Sequence, residues 1–135
     1  MIAGIGTDIV SVKRVENLVK AFDKKFLEKI YTKKEIGLAC QEKFENNILR
    51  KSLFLAKRFS AKEAFAKALG LGIGRGVDFC DIEITNDKFG KPIIKLLNKK
   101  DDFLKKHFSC KDFAIHLSLS DEKDFAIATV IIEKN

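Results

Sequence analysis

Asp8, Glu63, Lys67, Arg58 and His116 are the side chains here whose types and positions invite chemistry. Asp8 stands in a β-branched, glycine-containing run from Ile2 to Val10, which predicts a strand. Residues two apart on a strand share a face, so Asp8 sits with Gly4 and Gly6. Those glycines leave space beside the carboxylate for a phosphate or hydrated metal to approach. A carboxylate interacting with the dipole of the following helix accounts for the same pattern. Glu63 falls within about 60° of Ala56, Phe59, Ala66 and Lys67 around a helix, on a largely apolar face. An unpartnered carboxylate there is costly. Three arrangements satisfy it: an i,i+4 pair with Lys67, a Ser60-to-Glu63 capping box, or a metal ion.

Two carboxylates together with phosphate oxygens suit Mg²⁺, an oxygen-loving cation that commonly uses only one or two protein carboxylates. Arg58, Lys62 and Lys67 supply positive charge for a polyphosphate, Arg gripping bidentately and Lys as a point charge. Lys62 itself reads as part of a solvated helical face. Gly70 to Gly76 is glycine-rich, but it follows a helix, precedes a strand and lacks GxxxxGK[ST]. It reads as a helix cap leading into a tight connection. His116, Ser118 and Ser120 share one strand face, a ligand-binding wall or a solvent-facing one. A Ser-His-Asp nucleophile with Asp121 is rejected, since no GxSxG elbow is present and His116 and Ser118 sit about 7 Å apart along the strand.

Several elements must position these residues. Ser11 caps a helix in which Val12, Val15, Val19, Phe22 and Phe26 recur at helical spacing. Thr32 to Glu35 has capping-box form. The longest helical pattern runs from about Ile48 to Leu69 and stops at Gly70. Phe79 to Thr85 and Ile93 to Leu97 read as strands around a turn at Asn86 to Pro92. A weak amphipathic helix covers Lys99 to His107. Phe113 to Ser120 and Phe125 to Ile132 form a hairpin through Asp121 to Asp124. Helices early and antiparallel strands late define an α+β class rather than an alternating one.

Composition sets the bounds. A chain of 135 residues, 46% hydrophobic and 33% charged, is expected to form one domain over 1–135 and is too apolar for wholesale disorder. The formal charge of +7 favours an anionic partner without naming it. Cys40, Cys80 and Cys110 lack CxxC spacing, so no disulfide framework or thiolate zinc site is expected. Met1 to Gly4 lacks a signal-peptide start, and no stretch reaches the ~20 apolar residues of a membrane span. A cytoplasmic protein without a membrane partner is the expectation. The twelve Phe fall mostly on core positions; one Tyr and no Trp leave no platform for stacking bases.

Gly4-Ile5-Gly6-Thr7-Asp8-Ile9-Val10 together with Phe54 through Gly70, which contains R-F-x-x-K-E-A-x-x-K-A-x-G, resembles the holo-acyl-carrier-protein synthases. These are the small 4′-phosphopantetheinyl transferases. Asn86 through Pro92, His116-Leu117-Ser118-Leu119-Ser120-Asp121 and Ala126-Ile127-Ala128-Thr129-Val130 extend the resemblance, in the family's order and nearly end to end. Each match alone is weak; the ordered set is specific. Ser120-Asp121 stands where many members have Ser-His, and segment 36–50 matches poorly.

The resemblance implies Mg²⁺-dependent transfer of the phosphopantetheine arm from coenzyme A to a serine of apo-acyl carrier protein, with 3′,5′-ADP as by-product. It implies Asp8 and Glu63 as metal ligands, Lys67 near the reacting pyrophosphate, and Arg58 and His116 on coenzyme A phosphates. A homotrimer with clefts between subunits follows from it too. Glu63, directly or through a water on the metal, is the candidate acceptor of the serine proton. Lys13 to Lys29 carries six basic residues against three acidic ones. That makes Arg14 and its helix the expected docking face for the acidic carrier protein. Two rivals are a small basic nucleic-acid-binding module, disfavoured by the missing stacking platform, and an inactive trimeric scaffold, disfavoured by the retained Asp8, Glu63 and Lys67.

Overall fold

The computed structural model describes residues 1–21 and 24–135. In chain order the elements are β1 (Ile2–Ser11), α1 (Val12–Ala21), α2 (Lys24–Leu27), α3 (Lys33–Ala39), α4 (Ile48–Leu69), β2 (Ile82–Asn86), β3 (Pro92–Leu96), α5 (Lys100–His107), β4 (Phe113–Asp121) and β5 (Phe125–Lys134). β1, β5 and β4 form an antiparallel sheet in that order, and β2 and β3 form a separate hairpin. The architecture is α+β: helices on a small antiparallel sheet. Among the described residues no helix is long and apolar enough to cross a membrane.

Local signals set the helix ends. The Thr32 side chain accepts from the Glu35 amide, and the Glu35 side chain accepts from the Thr32 amide, closing the expected capping box. Asn47 caps α4 through a 3.0 Å bond from the Arg50 amide. Gly70 ends it at φ 77°, a left-handed conformation that glycine adopts without strain. The helix expected through Phe26 is described as α1 to Ala21 and as α2 from Lys24, which carries Phe26; Phe22, in the same apolar row, lies outside the described residues. One expectation shifts. The strand expected from Phe79 begins at Ile82, because Phe79–Asp81 is a 3₁₀ turn. There Asp81 accepts from the Asp78 amide at 2.9 Å.

The core lies between α4 and the inner face of the sheet. Ala61, Ala64, Phe65 and Ala68 bury against Ala128, Val130 and Ile132. The inner face of β1 adds Gly4 and Gly6, opposite Ile132 and Val130 of β5. A β-carbon on Gly4 would overlap the Ala68 carbonyl oxygen, and one on Gly6 the Ala64 carbonyl oxygen. The room beside Asp8 is therefore taken by the backbone of α4. This corrects the expectation that the glycines open a path for a ligand. They let strand and helix approach each other to backbone contact.

Gly6→Ala should accordingly force β1 and α4 apart and cost about 1–3 kcal/mol, the range for overpacking. Gly37→Ala, in α3 with nothing within 4 Å of the added carbon, should stabilise by about 0.5–1 kcal/mol. Urea denaturation of the two variants checks the contrast, and equal stabilities would refute the close approach.

Candidate active site

The glycine-mediated approach carries Asp8 to α4. Lys67 reaches across the gap, donating from Nζ to Asp8 Oδ1 at 3.1 Å and to the Thr7 carbonyl at 3.0 Å. The Asp8 side chain is 16% exposed and that of Lys67 54%, so the pair sits at the mouth of the contact. Glu63, one turn before Lys67 and half-buried, has its carboxyl pushed up by burial and by the Asp8 charge, against the pull of Lys67 and Arg14. Asp8, Glu63, Lys67 and Arg14 thus form one electrostatic cluster drawn from β1, α1 and α4. Arg14 is delivered by the Ser11 cap, whose Oγ accepts from the Arg14 amide at 3.3 Å.

The alternatives for Glu63 now separate. α4 begins twelve residues before Ser60, whose hydroxyl donates to the Lys57 carbonyl at 3.0 Å, so no capping box exists there. The ammonium of Lys67 bonds Asp8 and influences Glu63 only through charge. What remains is a half-buried carboxylate beside a second carboxylate, which a divalent cation would relieve. Among the described residues no group of three or more His, Cys, Asp or Glu gathers as a metal cluster. Two carboxylates, with phosphate oxygens or waters completing the shell, match the donor set of Mg²⁺.

Arg58 belongs to a second site. It is buried, its guanidinium lies 3.7 Å from the Phe54 ring centroid, and Nη2 donates to Asn86 Oδ1 at 3.3 Å. Its Nε is buried with no partner. It lines a cavity of about 560 Å³ with Lys43, Lys57, Asn86, Lys91 and Ser118, a size typical of small-molecule sites. Sequence reasoning missed Lys43, Lys57, Asn86 and Lys91 as contributors. The signals were faint: Lys57 precedes Arg58 directly, Asn86 ends β2 and Lys91 belongs to the turn that follows it.

His116 is not brought to the carboxylates. It stands on the outer face of β4, exposed, with Nε2 2.9 Å from Glu133 Oε2. Asp8 pairs through Ala128 with Leu119, so His116 lies about 14 Å away by strand spacing and rise, on the opposite face. It lines a smaller cavity that shares Lys91, Pro92 and Leu117 with the Arg58 cavity. On α4 itself, Arg58 and Glu63 point about 140° apart. One chain therefore presents a carboxylate cluster and a basic cavity facing different ways.

Lys62 requires a correction. It is fully buried, not on a solvated face, and it donates to Glu35 Oε1 at 2.5 Å, the Ile30 carbonyl at 2.7 Å and the Phe79 carbonyl at 3.1 Å. The solvated reading fails because α3 and the Phe79–Asp81 turn cover that side of α4.

The model of the 4′-phosphopantetheinyl transferase superfamily matches residues 4–130. The chain belongs to this superfamily, and within it to the holo-acyl-carrier-protein synthase family. A holo-[acyl-carrier-protein] synthase from Wolbachia pipientis subsp. Culex pipiens (strain wPip) is 46% identical, over 98% of each chain. The crystal structure of the Neisseria meningitidis synthase is 40% identical, with a TM-score of 0.82 over 99% of this chain and 100% of that one. The Bacillus anthracis synthase, crystallised in complex with CoA (3′,5′-ADP), is 38% identical, with a TM-score of 0.78 over 100% of this chain and 99% of that one.

The raised Glu63 carboxyl gives a pH test in metal-free buffer. The folded state holds that proton more tightly than the unfolded chain does. Ionisation therefore removes stability as pH climbs from the ordinary carboxylate range through Glu63's raised value. Glu63→Gln escapes this loss, so it should melt higher than the parent above that window. Thermal melts from pH 4 to 8 check it, and a difference that does not widen with pH would count against the raised carboxyl.

Proposed function

We propose that this chain transfers the 4′-phosphopantetheine group of coenzyme A to a serine of apo-acyl carrier protein, giving the holo-protein and 3′,5′-ADP in support of fatty acid biosynthesis. The observation that carries the mechanism is the meeting of Asp8, Glu63 and Lys67 across the β1–α4 contact. In the reaction the serine oxygen of the carrier protein forms a bond to the phosphorus bearing the pantetheine arm. The bond from that phosphorus to the bridging oxygen breaks, and 3′,5′-ADP leaves with the electron pair.

Glu63 takes the serine proton, a role its place beside Asp8 and one turn from Lys67 allows. Lys67, more than half exposed at the mouth of the contact, supplies positive charge for the departing phosphate oxygen. Mg²⁺, held by Asp8 and Glu63, would offset the charge that builds on the pyrophosphate oxygens. Arg58, with its unpaired Nε, and Lys57 and Lys91 hold the phosphates of the nucleotide half; His116 serves the same half from the neighbouring cavity. The basic face of α1, with Arg14 at its start, receives the acidic carrier protein.

A homotrimer agrees with the separation of these groups. The outer sheet face leaves Ile5 65%, Ile9 59%, Phe125 48% and Ile127 38% exposed, an apolar surface suited to a second copy. Such a neighbour would bring its own basic cavity towards the carboxylate cluster. A cytoplasmic setting suits three free thiols.

Incubation with coenzyme A, Mg²⁺ and apo-acyl carrier protein should raise the carrier's mass by one phosphopantetheine group, and chelation should abolish the gain. Asp8→Ala and Glu63→Ala should each lose about 100-fold or more in kcat while remaining folded, as lost electrostatic stabilisers do. Full turnover by either variant would remove the metal assignment. Arg14→Glu should raise KM for the carrier protein about tenfold at low salt and leave KM for coenzyme A nearly unchanged; equal effects on both would refute the docking face.

A further inference from the structure

We infer that the buried Lys62–Glu35 pair is a positioning device for the reaction: it fixes the rotation of α4 about its axis and thereby the placement of Glu63 against Asp8. The inference rests on the metal-pair assignment proposed above and extends it to two residues that touch neither substrate nor metal.

The argument starts from donors and acceptors. An ammonium has three hydrogens, and Lys62 spends all of them on the Ile30 carbonyl, Glu35 Oε1 and the Phe79 carbonyl. Glu35 is equally committed. Its Oε1 also accepts from the Thr32 amide at 2.9 Å, and its Oε2 accepts from the Ile84 amide at 3.0 Å. One side chain of α4 is thereby tied to the turn before α3, to α3 itself, to the 3₁₀ turn and to β2.

On the sheet side, α4 presents Ala61, Ala64, Phe65 and Ala68. The glycines of β1 set how close the strand comes. The alanines fix distance and offer little to resist rotation; Phe65 resists it by non-directional packing, and Lys62 by directed bonds. Lys62 precedes Glu63 and points about 100° from it. Side-chain tips lie about 5–6 Å from a helix axis, so a rotation of about 10° moves a carboxylate by about 1 Å. A displacement of about 1 Å at a reacting group costs on the order of 100-fold in rate. The ionic anchor on one side of α4 therefore governs the geometry on the other.

A double variant, Lys62→Met with Glu35→Gln, removes both charges and leaves neither partner as a lone buried ion, the condition under which such replacements keep a fold. With folding verified by circular dichroism, kcat should fall about 10- to 100-fold while KM for coenzyme A stays within twofold. Mn²⁺ binding in the presence of coenzyme A, followed by the electron paramagnetic resonance signal of free Mn²⁺, should weaken about tenfold. A role confined to stability would move neither quantity in a folded variant, so parental kcat or parental Mn²⁺ affinity overturns the inference. Should the double variant fail to fold, Glu35→Asp, which keeps both charges and shortens the anchor by one methylene, carries the same two measurements and criteria. Glu63→Ala is run alongside. If it binds Mn²⁺ and turns over like the parent, the metal assignment falls and the inference with it. If it loses both while the charge-free variant keeps them, only the inference falls.

Discussion

The structure depends on the contact between β1 and α4. A strand can lie against a helix at backbone distance only where both surfaces lack side-chain bulk. Here Gly4 and Gly6 meet the carbonyls of Ala64 and Ala68. That approach lets Lys67 reach Asp8 and puts Asp8 within electrostatic range of Glu63. With larger residues at these points β1 and α4, and the carboxylates they carry, would stand farther apart. Packing and chemistry thus rest on the same few atoms.

Charge is distributed with a purpose that the fold makes visible. At the β1–α4 contact burial, and then the neighbouring Asp8 charge, push up the carboxyl of Glu63. A second group of cations gathers around a cavity between α4, the β2–β3 hairpin and β4, where Arg58 keeps an unsatisfied buried donor. Neither cluster is at ease alone. A polyphosphate bridged by a divalent ion would relieve both, which is the physical link between this arrangement and coenzyme A.

Buried polar groups decide more than the sequence pattern conveys. Lys62 shares a helical stripe with Leu55, Phe65, Ala66 and Leu69, where a lysine can still extend its ammonium to solvent; instead it is enclosed and fully hydrogen-bonded. The enclosure comes from Glu35 and the Phe79 carbonyl, 27 and 17 residues away along the chain. Arg58 shows the reverse relation. Its place in a recognisable motif marked it as a phosphate ligand, while two of the basic neighbours that share its cavity, Lys43 and Lys91, come from other stretches of chain.

From the sequence alone, periodicity and capping residues set the helix of Ile48–Leu69, the Thr32–Glu35 cap and the α+β class, because these depend on neighbours within a few positions. Ordered motifs marked Asp8, Glu63 and Lys67 together. Only the tertiary structure decided that the glycines serve close packing rather than ligand access, that Lys62 is buried, and that His116 faces away from the carboxylates. Those outcomes depend on which distant segment covers a given face, and side-chain type and local spacing do not encode that.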